Sequence, residues 1–281
     1  HAQGVDYACL TGNGTLSIIL SLEEYGLINK KVAVPANSCF SVVQAILYSG
    51  NFPKFYDIDK TNLSINYKLI KNADALIAIH PYGRLFPVEK IKTLCKTKNI
   101  LFIEDNCVAQ GSSLNGAPTG SFGDVGILSF GAGKIIDIGH GGAILTNDKN
   151  LYHSFSNRLN VMNDSFLKYK KFINSVGNAF TRVYNKNFLE DYKINKKFFN
   201  IVISHKKYFR YQFNANYFDV LNSELDLLNE NVQYRAKNAS KIQNLLSDIE
   251  NITICTHSSG EVYWRQNILV ENGRNLLLKH L

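Results

Sequence analysis

The feature that most restricts the fold of this chain is a series of short, mostly apolar runs in its first half. Each run is bounded by glycine, proline or polar residues, as is typical of strands that a sheet buries on both faces. The runs are Lys31–Val34, Lys54–Ile58, Ala75–Ile79, Ile100–Ile103, Val125–Phe130 and Ala143–Thr146. They are short for helices, and we predict that they form strands of one sheet.

Segments with helical periodicity separate several of these runs. Thr15–Tyr25 carries apolar residues at helical spacing and is followed by Gly26, Ser41–Tyr48 is closed by a glycine, and Pro87–Lys96 begins with a proline. Strands that are joined through helices make right-handed crossovers in a mainly parallel sheet, with helices on both faces. The sequence therefore predicts a three-layer α/β/α domain with its ligand site beyond the carboxyl ends of the strands.

The chain changes character after Asn160. Residues 161–210 are basic and aromatic, and we interpret them as a variable insertion of a large domain that spans 1–210. For 211–281 we predict a small α+β C-terminal domain, and an incomplete one because the chain stops soon after its last strand. The predicted elements of this domain are a helix at Asn222–Leu246 and strands at Ile252–Ile254 and Asn267–Val270.

The formal net charge is +8, and much of the positive charge lies in residues 161–210. A basic stretch can attract nucleic acid, anionic lipid or a phosphorylated substrate, and it can also be a solvated surface, which is the reading we favour. Neither a zinc-finger nor an RNP-type pattern accompanies the charge, so we predict no nucleic-acid partner.

The composition indicates a soluble, cytoplasmic protein without disulfides or a metal site. Hydrophobic residues make up 45% and charged residues 19% of the chain, which suits a globular core. No run approaches the roughly 20 apolar residues of a membrane span, and the first residues lack the basic and then apolar order of a signal peptide. The five cysteines are scattered, which argues against a disulfide framework or a zinc site.

Two polar motifs fall where a parallel sheet would place a ligand. Gly12-Asn13-Gly14-Thr15 stands at a predicted helix start, where backbone N–H groups and the helix dipole favour an anion, although an ordinary helix cap explains it equally well. Asp105 ends an apolar strand. Its carboxylate can hold a protonated heterocyclic nitrogen, as in pyridoxal-phosphate (PLP) chemistry, or simply cap the next turn.

Two further motifs follow along the chain. Ser129-Phe130-Gly131-Ala132-Gly133-Lys134 places a lysine in a glycine-rich turn, where its amine is a nucleophile only if the surroundings lower its pKa; a surface lysine is the commoner case. Gly139-His140-Gly141-Gly142 permits close backbone approach, with His140 either a site group or a loop residue. In this order the four motifs match a PLP-binding fold of the aspartate-aminotransferase class.

From about Asp6 to Asp148 the chain resembles the sugar aminotransferases of the DegT/DnrJ/EryC1/StrS family. The matching segments are Gly12–Thr15, Val34-Pro35, Ala45–Gly50, Tyr56–Asp59, His80–Gly83, Ile103–Asp105, Gly120–Asp124, Ser129–Lys134 and Gly141–Asp148. The resemblance implies a PLP-dependent transferase of fold type I. Its implied reaction is amino transfer, usually from glutamate, to a keto group of a nucleotide-linked sugar in amino-sugar and polysaccharide biosynthesis.

The resemblance also implies roles for individual residues. Lys134 would carry PLP as a Schiff base and move the proton during transfer, as general base and acid. Asp105 would pair with the pyridine nitrogen of the cofactor. Ser129 and the backbone of Gly14 and Thr15 would hold its phosphate.

The family builds its sites at a homodimer interface, so Asn214 is expected to reach the cofactor of a neighbouring subunit. His80, Tyr82, Gln110 and His140 are expected to contact the substrate or to support the residues that do. The partners implied are a second copy of the chain, a nucleotide sugar and an amino-acid donor.

The chain departs from the family at several of these positions. Val108 stands where a glutamine usually binds the phenolic oxygen of the cofactor, and Gln110 is close by. Cys39 and Phe40 stand where many members stack an aromatic ring on the cofactor, so we take both as candidates for that contact. His140 replaces the usual acidic residue of the glycine turn.

Two alternatives to amino transfer stay open. Relatives that dehydrate sugars carry histidine at the lysine position; Lys134 argues against this reaction, while His140 keeps it in view. The other alternative is a non-catalytic protein that binds nucleotide sugars. Lys134 and Asp105 argue against it, because neither has an evident role in folding.

Overall fold

The computed structural model describes residues 4–172, 174, 200, 204 and 206–272. Its strands are β1 (Tyr7–Thr11), β2 (Lys31–Pro35), β3 (Phe52–Tyr56), β4 (Ala75–Ile79), β5 (Leu101–Asp105), β6 (Ser113–Leu114), β7 (Ala117–Pro118), β8 (Val125–Ser129), β9 (Gly142–Thr146), β10 (Ile252–Cys255) and β11 (Asn267–Val270). Seven of them form the main sheet in the order β1-β9-β8-β5-β4-β2-β3.

The main sheet is mostly parallel, as predicted. The pairs β2–β3, β2–β4, β4–β5 and β5–β8 are parallel, whereas β9 runs antiparallel to both β8 and β1. Strand β1 was not predicted, because its residues Tyr7–Thr11 do not form a continuous apolar run. Its pairing with β9, from Tyr7 opposite Thr146 to Thr11 opposite Gly142, makes it an edge strand.

The helices are α1 (Gly14–Glu24), α2 (Phe40–Tyr48), α3 (Val88–Lys98), α4 (Lys149–Asn160), α5 (Phe218–Asp226) and α6 (Leu228–Leu246). Side chains alternate between the two faces of the sheet. Val32 and Val34 of β2 pack with α1 and α2, whereas Ala33 packs with α3. Helices therefore cover both faces of the sheet, which confirms the predicted three-layer α/β/α domain.

The C-terminal region differs from the prediction in one respect. The single helix predicted at Asn222–Leu246 is two helices, α5 and α6, which meet at Leu227. Leu221 and Leu225 of α5 pack against the apolar cluster around β8 and β9, and so does Leu228 at the start of α6. Beyond α6, β10 and β11 form an antiparallel two-stranded sheet separate from the main sheet, and we call residues 228–272, from α6 onward, the C-terminal unit.

The basic insertion is only partly described, because residue 173 and most residues between 175 and 205 lie outside the described ranges. The two ends that are described pack against the large domain. Residues 166–172 are helical, and Phe166 at their start is buried. Phe209 and Tyr211 at the other end are buried as well. Aromatic side chains thus anchor these ends to the folded core, while Lys168, Lys170, Lys206 and Lys207 are exposed, so a solvated surface stays the interpretation of the charge.

None of the helices in the described ranges combines the length and the apolar character that crossing a membrane requires.

Candidate active site

A cavity of about 460 Å³ opens at the carboxyl-terminal edge of the main sheet. The starts of α1 and α2, the ends of β5 and β8, and the β8–β9 connection form its wall. Strands β1, β5 and β8 end at the same edge, because β9 runs antiparallel to both β1 and β8. This topology brings Gly14, Thr15, Asp105, Ser129 and Lys134 to one cavity.

The start of α1 forms one end of the cavity. Asn13 caps the helix, with its Oδ1 accepting a hydrogen bond from the Leu16 N–H at 2.7 Å. The first turn holds no acidic residue, so no carboxylate of its own neutralises the positive end of the helix dipole. A Cβ on Gly14 would lie 3.0 Å from Ser129 Cβ and 3.3 Å from Ser129 Oγ. The Ser129 hydroxyl therefore stands directly beside a helix N-terminus, an arrangement suited to a phosphate.

The segment that ends the basic insertion holds this loop from outside. Asn13 Nδ2 donates to the Phe209 carbonyl at 3.1 Å, and the Gly12 N–H donates to the Tyr211 carbonyl at 3.1 Å. A Cβ on Gly12 would collide with the carbonyl oxygen and the ring of Tyr211, so the approach requires glycine.

Asp105 lies at the end of β5 with 4% of its surface exposed. Its Oδ1 accepts a hydrogen bond from the Cys107 N–H at 3.0 Å. No lysine, arginine or histidine of the described residues forms an ion pair with it. A buried carboxylate without a cationic partner is unfavourable. The site is thus suited to a ligand that brings a positive charge, such as a protonated ring nitrogen.

Lys134 lies in the turn that follows β8. Its backbone N–H donates to the Gly131 carbonyl at 3.2 Å, and its half-buried side chain lines the cavity. Lys134 Nζ lies 5.8 Å from the centroid of the Trp264 ring, and Trp264 Nε1 donates to the Gly133 carbonyl at 2.6 Å. The C-terminal unit therefore contacts the lysine turn directly.

The buried thiol of Cys107 shows that Asp105 and Lys134 belong to one electrostatic environment. Burial is the main cause that raises the pKa of Cys107 well above its usual value, and the charge of Asp105 raises it further. The charge of Lys134 acts in the opposite direction and lowers this pKa. Both side chains are therefore within electrostatic reach of the same buried group.

His140 lines the cavity and is buried, with 2% of its surface exposed. Its ring lies 4.3 Å from Phe166, 5.4 Å from Phe213 and 4.2 Å from Tyr217, centroid to centroid. Neither ring nitrogen makes a full hydrogen bond with the described residues. Burial lowers the pKa of His140, while the nearby Ile138 backbone raises it to a lesser extent, so the imidazole is neutral near pH 7.

Two of the predicted site residues lie behind the cavity. Gln110 is fully buried, donates from Nε2 to the Ser129 carbonyl at 3.0 Å and accepts at Oε1 from the Ile136 N–H at 3.2 Å. It thus braces both ends of the lysine turn and is committed to the backbone. His80 is fully buried, hydrogen-bonds Glu104 at 2.8 Å and stacks on Phe86 at 4.0 Å, which places it in the core. For both residues the predicted role, contact with the substrate or support of the residues that make it, stays a prediction.

The remaining predicted residues divide between the cavity wall and its surroundings. Cys39 lines the cavity and accepts a hydrogen bond from Ser41 Oγ at 3.1 Å, whereas Phe40 is 49% exposed and is absent from the cavity wall. Tyr82 stacks on Trp264 at 6.4 Å, outside the wall. Asn214 caps a short 3-10 helix by accepting from the Asn216 N–H at 3.0 Å and also lies outside the wall of its own subunit's cavity.

Several residues of the cavity wall were not predicted. Four come from the start of the basic insertion, and the others are scattered over the elements around the cavity. They are Ile18, Ser41, Val42, Cys107, Ile138, Phe166, Tyr169, Lys170, Asn174 and Tyr217. The spacing of 166, 169, 170 and 174 is that of one helix face, so helical periodicity was the available signal.

Fold and site together define a class of protein. A mainly parallel sheet carries a lysine, a buried carboxylate and a phosphate-suited helix start around one cavity, and the molecule has the three-layer fold of PLP-dependent transferases of fold type I. A Cβ on Gly142, at the start of β9, would meet the Gly14 nitrogen and the Leu128 oxygen, each at 2.7 Å. Glycine at this position thus lets the end of the β8–β9 connection approach the start of α1.

The chain belongs to the DegT/DnrJ/EryC1/StrS aminotransferase family, whose sequence model matches residues 2–281. GDP-perosamine synthase of Escherichia coli O157:H7 is 36% identical over 154 residues, which are 53% of this chain and 42% of that protein. The match therefore spans less than half of the relative's length.

Solved structures of the same fold cover nearly the whole chain. DesV of S. venezuelae has a TM-score of 0.74 at 19% identity, and the match covers 99% of this chain and 68% of the DesV chain. A GDP-4-keto-6-deoxymannose-3-dehydratase, solved with a trapped PLP-glutamate geminal diamine, has a TM-score of 0.75 at 20% identity. The match covers 100% of this chain and 72% of the dehydratase chain.

Proposed function

We propose that this protein is a PLP-dependent aminotransferase that moves an amino group, from glutamate as donor, to a keto group of a nucleotide-linked sugar. The observation that carries the proposal is that Lys134 and the unpaired buried carboxylate of Asp105 line one cavity with the start of α1. Family membership and a relative named GDP-perosamine synthase support the sugar nucleotide as substrate class. The described cysteines are all free thiols, which fits a reducing compartment such as the cytoplasm.

The residues of the wall divide the work of such a site. Gly14, Thr15 and Ser129 bind the phosphate, and Asp105 holds the proton of the ring nitrogen. Bound in this way, PLP supplies an electron-accepting ring. Lys134 Nζ would be its covalent anchor until the amine of the donor takes that place. The freed lysine amine would then take the proton from the donor α-carbon and, in the second half of the reaction, deliver one to the sugar carbon that receives nitrogen.

Cofactor loading tests the anchor. Purified protein that is reconstituted with PLP should show the absorption band of the lysine-bound cofactor in the near-ultraviolet to visible range, and glutamate should bleach it. Lys134→Ala should lose the band. Lys168→Ala, which removes an exposed lysine outside the cavity wall, should keep it. An identical spectrum for wild type and Lys134→Ala would refute the role of this lysine.

Product mass tests the reaction. A panel of keto-sugar nucleotides, incubated with the loaded enzyme and glutamate, should give a product in which an amino group replaces the keto oxygen. Loss of water from the sugar would instead identify a dehydratase, the activity for which one structural relative is named. Binding of the sugar nucleotide without turnover by any donor would identify a non-catalytic family member.

A shared site in a homodimer is part of the proposal, with Asn214 reaching the cofactor of the neighbouring subunit. Asn214 is half-buried and does not line the cavity of its own subunit, so any contact with a cofactor would be made in a neighbouring subunit. Mixing inactive Asn214→Ala with inactive Lys134→Ala subunits should restore part of the activity, because each mixed dimer holds one unaltered site. Failure of the mixture, with dimers verified by ultracentrifugation, would place Asn214 outside the site.

A further inference from the structure

We propose that Lys170 binds an anionic group of the incoming substrate at the outer wall of the cavity. The proposal rests on the aminotransferase function proposed above and names a residue that none of the four sequence motifs contains. Lys170 belongs to the first helical turns of the basic insertion, and its side chain is exposed at the cavity.

The helix geometry singles out Lys170 from its basic neighbours. Residues 166–172 and 174 are helical, and at 3.6 residues per turn positions 166, 169, 170 and 174 share one face. All four positions line the cavity: Phe166, Tyr169, Lys170 and Asn174. Lys168 falls on the opposite face of the same helix and does not line the cavity. The insertion therefore directs one particular lysine at the site.

The charges of the wall leave Lys170 without a function in holding the cofactor. The start of α1 and Ser129 account for the phosphate, Asp105 for the ring nitrogen, and Lys134 for the covalent bond. Among the described residues no carboxylate forms an ion pair with Lys170. A cation at the mouth of a cavity, left unpaired after the cofactor is bound, attracts an anionic substrate.

The surroundings of Lys170 fix its place in the site. Lys170 is close enough to His140 for its charge to act on the imidazole, and Asp164 acts on the same ring with the opposite sign. Asp164 is engaged, because its Oδ1 accepts a hydrogen bond from the Phe166 N–H at 3.1 Å. Lys170 thus stands beside the aromatic residues that enclose His140, on the side of the cavity that faces solvent.

The group that the Lys170 ammonium would bind best is an oxyanion. Two substrates of the proposed reaction carry one: the diphosphate of the sugar nucleotide and the carboxylates of glutamate. A charge-assisted hydrogen bond from lysine serves either of them. Separate titrations with the two kinds of ligand distinguish them.

The experiment compares wild type, Lys170→Ala, Lys170→Arg and Lys168→Ala, each loaded with PLP. Guanosine diphosphate is titrated by calorimetry as the diphosphate probe, and the glutamate concentration that gives half-maximal bleaching is measured by absorbance. Lys170→Ala should weaken the binding of guanosine diphosphate, of glutamate or of both by about tenfold or more. This is the size expected for a lost charge-assisted hydrogen bond. Lys170→Arg keeps the charge and should lose less, and Lys168→Ala should match wild type.

The outcomes separate this inference from the function on which it rests. A change confined to guanosine diphosphate identifies the nucleotide diphosphate as the bound anion, and a change confined to glutamate identifies the donor. If Lys170→Ala binds both probes as Lys168→Ala does, the proposal is overturned. If wild type lacks the cofactor band, the proposed function fails instead, while the diphosphate titration still reports on Lys170.

Discussion

At the scale of single residues, the site depends on positions where even one extra carbon would displace a functional group. Gly14 is the sharpest case, because its missing Cβ leaves room for the Ser129 side chain at 3.0 Å. Gly131 in the next turn is a useful contrast, since a Cβ there would meet only Ser129 Oγ at 3.6 Å, an ordinary contact. An alanine at position 14 should therefore displace the Ser129 side chain, whereas an alanine at position 131 should not.

Gly14→Ala should weaken PLP binding by about tenfold or more, because the new methyl group pushes Ser129 away from the helix start and removes a hydrogen bond to a charged phosphate. Gly131→Ala should bind PLP nearly as wild type does. Titration of the apoprotein with PLP, followed by absorbance, gives both dissociation constants. Equal affinities for the two variants would show that Ser129 does not hold the phosphate.

The burial of His140 should make the stability of the folded protein depend on pH. Burial lowers its pKa in the folded protein below the usual value of 6.5, so below about pH 6.5 the unfolded chain binds a proton that the folded chain excludes. The stability that comes from keeping His140 neutral is full above about pH 6.5 and is lost as the pH falls toward the folded-state pKa. His257, whose pKa burial also lowers, acts with the same sign.

His140→Phe keeps an aromatic ring in place and removes the titration. The variant should therefore lose less stability than wild type between about pH 7.5 and about pH 5.5, while the contribution of His257 remains in both proteins. Urea unfolding at the two pH values measures the difference. A steeper loss in the variant would contradict the assignment of a neutral, buried imidazole.

At the scale of elements, the loop after β7 is organised by one buried carboxylate. Glu104 of β5 accepts hydrogen bonds from the N–H groups of Gly120 and Phe122 at 2.6 Å and of Gly123 at 3.1 Å. It also bonds to His80 at 2.8 Å and is fully buried. Glu104 thus links β5 by hydrogen bonds to the end of β4 and to the loop before β8. It directly precedes Asp105, which lines the cavity.

Glu104→Ala should lower the free energy of unfolding by about 3–5 kcal/mol, because it leaves buried N–H groups and a buried histidine without an acceptor. Glu104→Gln keeps one acceptor oxygen and should lower the free energy of unfolding by less than Glu104→Ala does. Glu250→Ala, at an exposed position, is the matched control and should change stability little. Urea denaturation of the four proteins compares the values, and an effect of Glu104→Ala no larger than that of the control would refute this role.

At the scale of the whole molecule, one contact of the C-terminal unit with the rest of the chain lies at the lysine turn. Trp264 is the only tryptophan of the chain, and it contacts both the Gly133 carbonyl and the Lys134 side chain. Arg235 supports it by donating to the Trp264 carbonyl at 3.3 Å. The indole therefore lies next to the Lys134 side chain.

Trp264 fluorescence should fall as PLP is added, because an indole beside the lysine transfers its excitation energy to a cofactor that absorbs in the near ultraviolet. The fall should reach its limit at one PLP per chain. Trp264→Phe should remove the signal, and Lys134→Ala should keep the emission but lose its stoichiometric quenching. Unchanged emission during loading that absorbance confirms would place PLP away from this lysine.

Much of the fold could be predicted from the sequence, because burial on both faces demands continuous apolar strands. β4 and β11 have the bounds that their apolar runs predict. The family-like motifs were also identified, and the structure brings Gly14, Asp105 and Lys134 to one cavity, since parallel strands place their carboxyl ends at a common edge. β1 was missed because a five-residue edge strand with mixed residues has no clear period.

What the sequence determined by itself was the kind of layers and the order of the chemical groups along them, since both follow from local hydrophobicity and from strand direction. What only the tertiary structure decided was which side of an element each polar residue takes. His80 and Gln110 turn into the protein, where backbone groups and Glu104 need their hydrogen bonds. Lys170 turns toward the cavity because helix 166–172 packs on the site, a contact between distant segments that no local pattern encodes.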